Sequence, residues 1–138
     1  ALSDGLNALA MNDGSQLAPF LEALERELRL AGRRAAPRPI VLHRGRVRAG
    51  YRIGERLFGG LAGRRAILHV VGERPGTGHR TFSVYITAPD GSVWGQVGKV
   101  DHDITRVVAG IANTALLPDA AARTAVALLG ALWAEEAK

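Results

Sequence analysis

The densest cluster of chemically useful side chains is one glycine-rich stretch, Gly72-Glu73-Arg74-Pro75-Gly76-Thr77-Gly78-His79-Arg80. Glycines beside a carboxylate and basic groups suggest a phosphate cradle. The nucleotide-binding pattern G-x-x-x-x-G-K-[ST], however, needs a glycine where Glu73 stands, a lysine at His79 and a hydroxyl at Arg80. It also needs a following helix, whose N-terminus completes the anion site; here Thr81 to Thr87 alternates with strand period. Three mismatches and the wrong successor argue against nucleotide hydrolysis. Asp101-His102-Asp103 offers ligand atoms, but neighbouring side chains of an extended segment point to opposite faces, so it reads as a helix-capping Asp103 beside a solvated histidine. The four histidines lack metal-ligand spacing, and His69 inside an apolar run reads as a satisfied core residue. There is no cysteine, no G-x-S-x-G elbow and no recognisable acid–base pair. No catalytic residue and no metal site are assigned.

The elements that position the glycine-rich loop alternate along the chain. Ala1-Leu2 reads as the end of a strand, running into Ser3-Asp4-Gly5. Leu17, Phe20, Leu21, Leu24 and Leu28 recur at helical spacing, with Ser15 as N-cap and Gly32 as stop. Ile40-Val41-Leu42 is a short strand, and Ala49, Ile53 and Leu57 mark one face of a second helix. Ala66 to Val71 is an apolar run suited to a central strand covered on both faces. Thr81 to Thr87 is a further strand, turned by Asp90-Gly91 towards Val93-Trp94. Asp103 would cap a helix carrying Ile104, Val107, Val108 and Ile111, and Asp119 a last helix with Ala122, Ala125, Val126, Leu129, Leu132 and Trp133.

This order predicts one α/β domain over residues 1–138. It would be a three-layer, Rossmann-like domain with a mostly parallel sheet, a short antiparallel addition and C-terminal helices. Ligands of such sheets sit beyond the carboxyl ends of the strands. The loops at Ser3-Asp4-Gly5, around Gly45 and from Gly72 to Gly78 should therefore open on one edge.

Composition narrows the class. With 138 residues, 47% hydrophobic and 22% charged, the chain can bury a core and is not disordered. No apolar run approaches the roughly 20 residues of a membrane helix. Net charge is +5, and it is concentrated: Arg33 to Arg65 holds ten arginines and one acid, Glu55. Such a stretch suits phosphates or an acidic protein surface equally. Only Tyr51 and Phe58 lie within it, fewer aromatics than a base-stacking surface uses.

Four segments in order resemble the small subunit of ethanolamine ammonia-lyase. They are Leu2-Ser3-Asp4-Gly5-Leu6-Asn7-Ala8-Leu9-Ala10, Arg44-Gly45-Arg46-Val47, Tyr51-Arg52-Ile53-Gly54-Glu55 and Val70-Val71-Gly72-Glu73-Arg74-Pro75-Gly76. The resemblance covers roughly residues 2 to 88, and a strand running into G-E-R-P-G is its most specific piece. It implies the cobalamin-binding domain of that subunit, without the region that usually precedes it. A large barrel subunit would host the radical chemistry, and this chain would cover part of adenosylcobalamin at the subunit interface. Ethanolamine would go to acetaldehyde and ammonia, in the cytoplasm or in a bacterial microcompartment.

Carried over by motif, the cobalamin contacts are Val47 of G-R-V and Glu73 of G-E-R-P-G, with Arg46, Gly72 and Arg74 as neighbours. Glu73 is expected to serve the ligand as a loop acceptor rather than to hold the fold. The family's third contact, a cysteine in a T-C-I-S-N-I-type segment, has its counterpart around Arg106 to Ile111, where this chain has no cysteine. The resemblance also leaves two further readings: a diverged homologue with another partner or ligand, and a basic nucleic-acid-binding module.

Overall fold

In the computed structural model, residues 1–73, 80–89, 94 and 104–135 are described. The chain order is β1 (Leu2–Ser3), α1 (Ala8–Met11), α2 (Gly14–Leu30), β2 (Val41–Leu42), α3 (Ala49–Phe58), β3 (Ile67–Gly72), β4 (Phe82–Thr87), β5 (Thr105–Ile111) and α4 (Pro118–Glu135). The five strands form one mixed sheet in the order β2-β1-β3-β4-β5. β1 pairs in parallel with β2 and β3, giving the expected parallel half.

The sheet nevertheless corrects the expectation of a mostly parallel one. The parallel ladders are two residues long, whereas β3–β4 and β4–β5 are antiparallel and run almost the full length of their strands. The antiparallel addition is thus the larger part of the sheet. A second correction concerns the segment read as a helix behind Asp103, which is β5. Ile104, Val107, Val108 and Ile111 fit helical spacing, but Thr105, Val107, Val108 and Ile111 are β-branched and stiff in a helix. Gly110 takes φ +70°, which no helix accommodates. Among the described residues a single helix, α4, therefore follows the sheet. Asp101 to Asp103 and the turn at Asp90-Gly91 lie outside the described residues.

The main core forms between one sheet face and two helices. Val70, Phe82, Val84, Ile86, Val108 and Ile111 meet Phe20, Ala23, Leu24 and Leu28 of α2, and Ala121, Ala122, Ala125, Leu129 and Leu132 of α4. Phe20 and Phe82 pack edge to face with centroids 5.2 Å apart. Each fully buried aliphatic or phenyl side chain here stabilises by about 1.5–3 kcal/mol. The α2 cap is Asp13 rather than Ser15: its carboxylate accepts from the Ser15 N–H at 3.1 Å and the Ser15 hydroxyl at 2.6 Å. Those bonds hold the Asp13 carboxyl below its usual range.

Ile67 and His69 point to the opposite face, where α3 packs. This helix buries glycines: Gly50 rests on His69 and Ile67, and Gly54 lies beneath the indole of Trp94. A methyl group at Gly54 would overlap that ring, so only glycine permits the contact. Tyr51 stacks on Trp94 at 5.9 Å and Phe58 meets it edge-on at 5.5 Å. His69 is fully buried as a core residue should be, but neither ring nitrogen has a hydrogen-bond partner. The Val47 backbone approaches the ring without bonding it.

Candidate functional site

Because β1, β2 and β3 run parallel, their carboxyl ends share one edge of the sheet, and three loops meet there. Ser3 and Asp4, at the end of β1, bind the loop that follows β2. The Ser3 hydroxyl donates to the Gly45 carbonyl at 3.0 Å, and the Asp4 carboxylate accepts from the Arg44 N–H at 2.6 Å. Gly45 sits so close to Ser3 that no side chain fits. Gly72 is pressed against the carbonyls of Asp4 and Asn7, and its own carbonyl accepts from the Leu6 N–H at 3.1 Å. Ser3-Asp4-Gly5 is thus a fastener that ties the other two loops to the strand ends.

Between them lies a cleft of about 160 Å³. Gly5 and Leu6 form one side, Gly45, Arg46 and Val47 a second, and Val71, Gly72 and Glu73 the floor, with Ser83 and Tyr85 entering from β4. Of the residues singled out in the sequence, Arg46, Val47, Gly72 and Glu73 converge here; Arg74 lies outside the described residues. Val47 is 48% exposed and so is presented rather than packed.

Glu73 is more tightly held than a loop acceptor should be. Its carboxylate accepts from the Thr81 hydroxyl at 2.8 Å, from the Ser83 hydroxyl, and from the Gly110 N–H at 3.1 Å. Its own N–H donates to the Thr81 carbonyl at 3.0 Å. Burial alone would raise its pKa, but the bonds from Ser83, Thr81 and Gly110 outweigh it and hold the carboxyl below its ordinary value. The expectation that Glu73 leaves the fold indifferent is therefore corrected: it clamps β3, β4 and β5 together at the cleft. Burial, and then the Glu73 charge, push the Tyr85 phenol upward, so its O–H stays a donor at neutral pH.

Ser83 and Tyr85 were not singled out from the sequence. The alternation of Phe82, Val84 and Ile86 as core residues was the available signal, because it sends 83 and 85 to the other face. In the segment corresponding to the family's cysteine, Gly110 reaches the cleft wall through its N–H. Arg106 lies at the other end of β5, paired with Glu135 at 3.0 Å.

Chemically, the cleft offers a guanidinium, a phenol, one largely spent carboxylate and backbone groups around an apolar floor. Among the described residues no three His, Cys, Asp or Glu side chains gather as metal ligands. Such groups suit contacts to a neutral or anionic polar ligand, and among the described residues of the cleft no nucleophile is paired with a base. The profile of the ethanolamine ammonia-lyase light chain matches residues 1–137. The chain belongs to that family. No curated protein matches it significantly. A light chain implies a complex with a heavier subunit, and the enzyme they form is a lyase. No helix among the described residues of this light chain is long and apolar enough to cross a membrane.

Proposed function

We propose that this light chain supplies one wall of the adenosylcobalamin site of an ethanolamine ammonia-lyase, closing against the heavier subunit. The observation that carries the reading is the meeting of Gly45-Arg46-Val47 with Gly72-Glu73 at one cleft. Its 160 Å³ falls below the roughly 300 Å³ at which pockets enclose a small ligand. It can seat the rim of a large ligand but cannot surround one, as a shared site requires.

The residues present fit such a group. A corrin rim carries neutral amides, which need both donors and acceptors. Tyr85 can do both, the Val47 backbone offers donor and acceptor, and Glu73 retains acceptor capacity beyond its three internal bonds. The Arg46 fork suits the phosphodiester of the cofactor's nucleotide tail. Adenosylcobalamin, when bound, supplies by cobalt–carbon homolysis the radical that starts the conversion of ethanolamine to acetaldehyde and ammonia. This chain contributes position and exclusion of water, in a Rossmann-like role at the carboxyl edge of its parallel strands. The cytoplasm or a bacterial microcompartment would be its setting.

A nucleic-acid role is disfavoured by the arginine-rich stretch itself, because its two aromatics, Tyr51 and Phe58, turn their rings onto Trp94. Reconstitution tests the proposal. Purified chain, the heavier subunit and adenosylcobalamin should together turn over ethanolamine, with neither chain active alone. A complex without turnover, or no complex, would contradict it.

A further inference from the structure

The apolar stripe Ala49, Ile53 and Leu57 has helical spacing, yet α3 does not bury it. The helix gives its glycine face to the sheet, and the stripe instead lines an open groove of about 510 Å³ together with Ile40 and Leu42. Leu57 is 47% exposed, and Val41 on the adjoining strand is 65% exposed. Among the described residues that strand, β2, ends the sheet and pairs only with β1. Parallel strands are ordinarily covered, and an open edge beside an apolar patch is a surface for another chain. Arg52 and Arg56 flank the groove. Glu55 neutralises Arg52 at 2.9 Å, while Arg56 has no ion-pair partner among the described residues.

We propose that this groove docks the heavier subunit through a helix whose apolar row is flanked by carboxylates. The inference rests on the light-chain reading above and adds to it a surface and a partner chemistry. The apolar row would fill the groove between β2 and α3, and its carboxylates would meet Arg56 and, in competition with Glu55, Arg52. Charge decides between this occupant and a second copy. A symmetric pair would bring the exposed Arg56 of each copy, unpaired among the described residues, to the same apolar groove, and like charges across an interface are repelled.

The test measures the affinity of the purified heavier subunit for the wild-type chain and three variants, with thermal melts as fold controls. Leu57→Gln keeps length and helix propensity while removing apolar contact; Arg56→Glu reverses an exposed charge. Each should weaken the complex at least tenfold, while Leu117→Gln, an exposed leucine outside the groove, leaves it unchanged. If the wild type binds and both groove variants bind within twofold of it, the docking surface is wrong and the light-chain reading stands. If the wild type does not bind, the light-chain reading falls and the docking proposal with it. If the chain dimerises alone and Leu57→Gln abolishes the dimer, the occupant is a second copy and the proposal is overturned.

Discussion

Replacing Glu73 with alanine should lower the unfolding free energy by about 3 kcal/mol, from the loss of hydrogen bonds to a charged, partly exposed acceptor. That loss corresponds to a fall of about 10 °C in Tm for a chain of this size. Three donors lose their acceptor at once: the Thr81 and Ser83 hydroxyls, both buried, and the Gly110 N–H. They come from β4, the residue just before it and β5, so the change also loosens the ladder that joins β3 to β4 and β5. Glu73→Gln should fall between alanine and wild type, because its carbonyl can replace one carboxylate oxygen while its NH₂ faces donors. The carboxyl is held below its ordinary value, so the stability it adds is complete above the ordinary glutamate range. It disappears as pH drops through the lowered value. A melt unchanged by Glu73→Ala would show that the clamp contributes nothing.

His69→Leu should act in the opposite direction, raising stability by about 1–3 kcal/mol at pH 7, since the buried imidazole has no partner to offset its desolvation. The ring is fully buried and both nitrogens are unsatisfied. Burial pushes its pKa down from 6.5 to about 4. The unfolded chain therefore binds the proton more readily, and stability is complete above pH 6.5 and declines as pH falls towards 4. The decline from this one group is about 3 kcal/mol at the linkage rate of roughly 1.4 kcal/mol per unit. In His69→Leu that slope should vanish, which urea denaturation at pH 7, 6, 5 and 4.5 would show. A leucine variant less stable than wild type at pH 7 would mean that the imidazole has a polar partner.

Much of the site was legible because it depends on chain direction. Once Leu2-Ser3, Val41-Leu42 and Ile67 to Gly72 are parallel strands, their following loops must meet. The role of Glu73 was hidden because it depends on register. Ser83 and Gly110 reach it only through the pairing of β3 with β4 and β4 with β5, including an irregularity between Phe82 and Val84. The helix read in place of β5 had the same cause. Val108 and Ile111, three residues apart, fit a helix and reach one face of β5 only through that irregularity, and the left-handed Gly110 and the β-branched neighbours decide. In α3, the apolar stripe Ala49, Ile53 and Leu57 marked one face of the helix. Gly50 and Gly54, one turn apart, were the competing signal: a helix that approaches a sheet closely buries its smallest side.

The central claim is that the cleft between Gly45–Val47 and Gly72–Glu73 faces the cofactor. Amide hydrogen exchange, measured on the complex with the heavier subunit before and after adding adenosylcobalamin, tests it most directly. Slowed exchange at Arg46, Val47, Gly72 and Glu73, with α4 unchanged, is the predicted result. Unaltered exchange at those four amides in a complex that has bound the cofactor would contradict the account.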